Sequence, residues 1–105
     1  MKKMSFARVK SLQKLAGYSE MQDLIDSGLA WKLEGSVGRS AMDCLRSGAC
    51  MLPLQVHYDA YGNRIPSRHE IVPGSTGSFK LSQQFWEENE DLAWADLYEE
   101  EEEHA

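Results

Sequence analysis

Two short stretches carry the residues whose types and spacing could do chemistry. One is Gly35-Ser36-Val37-Gly38-Arg39-Ser40; the other is Tyr61-Gly62-Asn63-Arg64-Ile65-Pro66-Ser67-Arg68. Each joins glycine and arginine to hydroxyl or amide side chains. Guanidinium groups fork onto pairs of phosphate oxygens. A glycine-rich helix start offers bare N–H groups and a partial positive charge to an anion. The first stretch lacks the G-K-[ST] ending of a P-loop, and no clear strand precedes it as a dinucleotide fingerprint requires. It reads as a candidate phosphate cradle made by Ser36, Gly38, Arg39 and Ser40. The second stretch would add Arg64 and Arg68 as a clamp, with Asn63 and Ser67 as further donors. Trp31 or Tyr61 would cover a flat base. The plainer readings are that Ser36 caps a helix, Gly38 permits close packing, and Tyr61 and Arg64 decorate a turn.

Other chemistries have weaker support. His57 and Asp59 would share one strand face, near Ser67, His69 and Glu70, but no nucleophile elbow or pair of catalytic carboxylates accompanies them. His57, Asp59 and His69 could gather as metal ligands, yet without tight ligand spacing, so no metal and no cofactor is expected. Cys44 and Cys50 are spaced C-x5-C, which is not a zinc pair. They read as reduced, small buried apolar residues. The chain therefore reads as a binder rather than an enzyme.

The elements that must position these residues follow from periodicity. Ser5 is a candidate N-cap for a helix with Phe6, Val9, Leu12 and Ala16 on its apolar side, ended by Gly17. Ser19 and Gln22 form a capping-box pattern opening a second short helix that buries Met21, Leu24 and Ile25 and closes at Gly28. Residues 29–33 alternate like a strand but are too few to assign, with Trp31 over the core. Ser36 caps a third helix over residues 36–47, with Val37, Ala41, Cys44 and Leu45 as its buried stripe and Gly48 after its end. Residues 51–58 read as a half-buried strand, Gly62-Asn63 as a hairpin turn, and residues 73–78 as a loop without core residues. Ser78 or Ser82 caps a last helix whose apolar side includes Phe79, Leu81, Phe85, Trp86, Leu92, Leu97 and Tyr98. Glu99, Glu100, Glu101, Glu102 and Glu103 then form a block of like charge that should remain disordered. The expected fold is α+β: a small, mostly helical domain of three to four helices with one β-hairpin, compact over residues 1–98, and an acidic tail over residues 99–105.

Bulk properties narrow the function. The chain has 105 residues and a net charge of −6. That charge is unevenly placed. Residues 1–80 hold all 11 Lys and Arg against seven acids, for +4, while residues 81–105 hold ten acids and neither Lys nor Arg, for −10. The body is mildly basic, and the tail would repel a nucleic acid. No run approaches the ~18 apolar residues of a membrane span, and the basic start lacks the apolar core of a secretory signal. A cytoplasmic protein without a membrane or direct nucleic-acid partner is expected. The tail itself is either a solvated solubility segment or, with Trp86, Trp94 and Tyr98, an imitation of a phosphate backbone.

Three blocks of sequence carry a resemblance: S-G-x-A-W-x-L-E-G-S-x-G-R-x-A-M over residues 27–42, H-x-D-x-Y-G-N-x-x-P-S-R-x-E over residues 57–70, and P-G-x-x-G-S over residues 73–78. Together they resemble a group of short phage and prophage proteins, with Leu29 as a departure where a smaller or polar residue is expected. That group has no assigned activity and transfers no catalytic residue. The resemblance implies phage origin, the host cytoplasm, and a role in countering host defence. Small phage proteins of this kind either sequester nucleotide signals in symmetric oligomers or block a defence protein directly. The expectation is a homo-oligomeric, non-enzymatic binder of a small phosphate-bearing ligand, a nucleotide or cyclic nucleotide signal, with Arg64 and Arg68 reaching across a subunit boundary. The alternative is an acidic inhibitor that mimics nucleic acid and occupies a host defence protein through residues 86–103. An enzyme using His57 and Asp59 is the third.

Overall fold

The core is divided by a segment without helix or strand, residues 49–53, that is buried on both sides. Ala49 and Met51 face one cluster, with Val9, Leu12 and Trp86. Cys50 and Leu52 face the other, with Ile25, Ala30, Ala41 and Leu45. Successive side chains thus alternate between the two clusters. Such a segment carries N–H and C=O groups that need partners once water is excluded. A computed structural model, describing residues 4–33 and 35–91, shows how they are supplied.

Four helices and one hairpin surround this segment among the described residues: α1 (Phe6–Leu15), α2 (Ser19–Ser27), a 3-10 turn (Leu29–Trp31), α3 (Gly35–Ser47), β1 (His57–Tyr58), β2 (Arg64–Ile65) and α4 (Phe79–Glu88). The strands pair antiparallel, His57 opposite Ile65 and Tyr58 opposite Arg64. This is the expected α+β architecture. Ser5 caps α1 through the Arg8 N–H, and Ser78 caps α4 through the Leu81 N–H, each at 3.1 Å. The α3 stripe also lies where its spacing put it: Ala41 and Leu45 are buried, and Val37 and Cys44 pack against the same cluster.

The backbone of the central segment is satisfied largely by side chains, with the Cys50 and Leu52 N–H groups bonded to the Cys44 and Gly77 carbonyls. Gln22 pairs with Met51 as a neighbouring strand would: its Oε1 accepts from the Met51 N–H (2.8 Å) and its Nε2 donates to the Met51 carbonyl (2.9 Å). Gln13 and Trp86 both donate to the Ala49 carbonyl. Arg68 donates through Nε to the Leu52 carbonyl (2.7 Å), and its own N–H bonds the Pro53 carbonyl (2.8 Å). Each bond is worth only about 1 kcal/mol net, but an unpaired buried N–H or C=O costs about 1–3 kcal/mol.

Several expectations are corrected here. Gln22 is not a capping residue. Helix α2 begins at Ser19 without a side-chain cap, and Gln22 is fully buried. Ser36 does not cap α3, which already begins at Gly35. Residues 51–58 are not one strand, because residues 51–53 are paired by side chains and strand pairing begins at His57. Phe6 is 47 % exposed and rests against Phe79, while Gln13 takes a buried place on α1. Residues 29–31, too few to assign from sequence, form a 3-10 turn. The loop at 73–78 does enter the core through backbone. Gly77 (φ +84) donates to the Leu45 carbonyl and accepts from the Leu52 N–H, and a Cβ there would lie 2.5 Å from Leu52 Cγ. Helix α4 stops at Glu88, with Asn89 folding back onto the Phe85 carbonyl. The expectations for Leu92, Trp94, Leu97, Tyr98 and the acidic tail lie outside the described residues.

Candidate functional site

Helix α3 has three faces. One is the buried stripe. A second carries Ser36, Ser40 and Ser47, all exposed. The third presents Gly35, Gly38, Arg39, Met42, Asp43 and Arg46 along a groove of about 400 Å3 whose opposite wall is Trp31. Those positions follow the i, i+3, i+4, i+7 pattern of one helical face. Gly38 faces the 3-10 turn, and a Cβ there would meet the Ala30 carbonyl at 3.5 Å, an ordinary van der Waals contact. The Arg39 guanidinium curls back over Gly35, where a Cβ would meet Nη1 at 3.1 Å. A positive group thus stands at the start of α3, the end where the helix dipole also favours an anion.

Trp31 is half-buried and packs against the second core cluster. Its carbonyl accepts from the Ala60 N–H at 3.3 Å, which fastens the hairpin tip beside the groove. His57 strengthens that attachment. Its Nε2 lies 3.0 Å from the Asp26 carbonyl, and its ring fills the space over Gly28 (φ +83), where a Cβ would approach Nδ1 to 2.6 Å. The two stretches singled out from sequence are therefore neighbours through Trp31.

They do not form one pocket. Asn63 is engaged with Asp59: its Nδ2 and N–H both donate to that carboxylate, which also accepts from the Tyr61 N–H. These bonds hold the Asp59 carboxyl below its ordinary pKa, the Asn63 side chain contributing most. Arg64 is paired with Glu70 at 2.6 Å on the surface, and the other Glu70 oxygen accepts from the Ser67 N–H. The Arg64 bond is the main reason the Glu70 carboxyl is also lowered. Arg68 is buried, with its Nη2 2.8 Å from Asp26 and its Nε on the Leu52 carbonyl. Burial lowers its pKa, and Asp26 offsets that. The clamp of Arg39, Arg64 and Arg68 is thus not assembled: Arg68 is an internal strut, and Arg64 belongs to a surface ion pair. Ser36 and Ser40 lie off the groove, Ser67 is buried, and Tyr61 is 90 % exposed at the hairpin tip. Of the expected ligand residues, Trp31, Gly38 and Arg39 line the groove. Sequence reasoning missed Met42 and Arg46, which stand three and seven residues beyond Arg39 on the same face.

His57 and Asp59 do not form a catalytic pair, since one is held by the Asp26 carbonyl and the other by Asn63. Among the described residues no three of His, Cys, Asp and Glu gather as metal ligands, and no helix is long and apolar enough to cross a membrane. Compared with known protein families, curated proteins and solved structures, the chain matches none.

Proposed function

We propose that this chain is a non-enzymatic binding protein for a small, flat, phosphate-bearing molecule of the nucleotide or cyclic nucleotide class. The observation that carries the reading is the meeting of the Trp31 indole with the Arg39 and Arg46 guanidiniums on one groove beside α3. The ring would lie against Trp31 and Met42, and phosphate would sit by Arg39. Arg46 stands seven residues further on, about 10 Å along the axis at 1.5 Å per residue, within reach of a second anionic group. Asp43, 3.5 Å from Arg46, tempers the positive field at that end. The resemblance to short phage proteins supplies a setting: sequestration of such a signal in a homo-oligomer to counter host defence in the host cytoplasm.

The test is thermal shift and calorimetry against adenosine monophosphate, cyclic mono- and dinucleotides, adenosine alone and inorganic phosphate. A ligand present at a hundred times its Kd stabilises the fold by about 2.7 kcal/mol. The expected order puts a nucleotide above both the nucleoside and free phosphate, with the gain removed by Arg39→Ala. A panel in which no nucleotide stabilises the wild type overturns the reading.

A further inference from the structure

Helix α3 ends at Gly48 (φ +99), and the chain doubles back so that the Cys50 N–H donates to the Cys44 carbonyl at 3.1 Å. This brings the backbones of the two cysteines into hydrogen-bond contact across the end of α3, and a disulfide between them needs a short Cα spacing of about 4.4–6.8 Å. Both side chains turn into the same cluster, around Ile25, Leu45 and Leu52. The thiols are free and differ in access: Cys44 is half-buried, whereas Cys50 is fully buried. We propose that Cys44 and Cys50 form a reversible intramolecular thiol–disulfide site, Cys44 attacking and Cys50 resolving, whose oxidant is a small disulfide of the glutathione class.

The electrostatics agree with that division. Interaction with the Cys50 thiol lowers the pKa of Cys44, against burial and Asp43, which both raise it. The same contact and burial raise Cys50. The accessible sulfur is therefore the better thiolate, and the thiolate is the nucleophile. In the first step the Cys44 thiolate attacks one sulfur of the small disulfide, forming a mixed disulfide and expelling one thiolate. In the second, the Cys50 sulfur attacks Cys44 Sγ and its proton passes to the departing sulfur, which leaves as the second thiol. The protein gives up two electrons and two protons, and the oxidant becomes two thiols. The bond formed would tie the last turn of α3 to the central segment, whose neighbouring residues are paired by Gln13, Gln22 and Arg68.

The experiment treats the folded, reduced full-length chain with oxidised glutathione, quenches with acid and measures intact mass. The wild type should lose the mass of two hydrogens and keep no adduct. Trypsin cuts after Arg39, Arg46 and Arg64, so residues 40–46 and 47–64 should appear as one linked pair that dithiothreitol separates. Cys50→Ala should trap a single glutathione on Cys44. Cys44→Ala, still folded by circular dichroism, should react at least roughly ten-fold more slowly than Cys50→Ala. The proposal is overturned if the wild type stays reduced, retains glutathione or links into dimers, or if Cys50 reacts as fast as Cys44. The wild-type mass and the linked peptides decide the matter even if a variant fails to fold.

Discussion

The groove-facing side of α3 and the hairpin loop that ends in Arg68 begin from nearly the same parts: glycine, a hydroxyl residue and arginine. They end with opposite roles. The loop contains or touches its own acids. Asp59 closes the turn, Glu70 takes Arg64, and Asp26 reaches across from α2 to Arg68. Every guanidinium there finds a carboxylate within the fold, and the loop is thereby made rigid and fastened to α2. Among the described residues of α3 the acid is Asp43, which pairs with Arg46 at 3.5 Å, while Arg39 lies over Gly35. An arginine's composition and neighbours in sequence do not decide between anchoring and ligand binding. What decides is whether folding delivers a carboxylate to it.

The sharpest way to break this comparison is to remove the internal arginine. Arg68→Met keeps the aliphatic stem but leaves the Leu52 carbonyl without its donor and Asp26 without its cation. A buried charge pair broken on one side costs about 3–5 kcal/mol. Because Asp26 is one-third exposed, the lower end, about 3 kcal/mol, is expected, read as a lower urea midpoint. Arg39→Ala should shift that midpoint by under about 0.5 kcal/mol, the usual range for a surface change. If the two variants melt alike, Arg68 is no strut and the contrast fails.

The elements with regular periods were legible in sequence: the stripe of α3, the serine caps of α1 and α4, the Gly62 turn. The central segment was not, because many of its backbone partners are the side chains of Gln13, Gln22 and Arg68, polar residues with no core signature in the sequence. A glutamine that imitates a strand has no local signature. The Ser19 and Gln22 spacing even supplied a competing local explanation, a capping box, that the core overrode. The site was half legible for a related reason. Trp31, Gly38 and Arg39 could be picked out by type, and Met42 and Arg46 were accessible from the same helical spacing. The fate of Arg64 and Arg68 depended on the placement of Glu70 and of Asp26, the latter 42 positions from Arg68 in the chain. Nothing short of tertiary structure brings that pair together.

A smaller effect sharpens the comparison at Arg64. Its ion pair with Glu70 is exposed, its side chain 51 % accessible. Exposed pairs contribute about 0–1 kcal/mol. Arg64→Ala should therefore leave stability within about 1 kcal/mol of wild type in urea melts and leave nucleotide affinity unchanged. Under the same conditions Arg39→Ala should weaken affinity at least about ten-fold, equal to about 1.4 kcal/mol. Equal losses of affinity from both substitutions would restore the two-loop clamp and remove the distinction drawn here.

The smallest expected effect is confined to the hairpin and depends on pH. Asp59 and Glu70 both titrate below their ordinary values in the folded chain, Asp59 through the Asn63 side chain and backbone, Glu70 through Arg64 and the Ser67 N–H. A carboxyl with a lowered folded pKa binds protons more readily when unfolded. Its contribution is thus complete above the unfolded values of about 3.9 and 4.3 and fades as pH falls through the folded ones. The hairpin turn should hold at neutral pH and loosen below about pH 4, whereas the Met51 N–H bonds an uncharged oxygen, Gln22 Oε1, in the core and should stay protected there, although the nitrogen of that amide also donates to Asp26. Amide exchange followed by NMR separates the two: protection of Asn63 should fall as pH drops below about 4, beyond the intrinsic pH dependence of exchange, while that of Met51 persists. Asp59→Asn should flatten the response at Asn63, because an amide keeps an acceptor but no longer titrates. If Met51 and Asn63 lose protection together, the hairpin and the central segment open as one unit. The loop would then be part of the core's cooperative structure and not an ornament fastened to it.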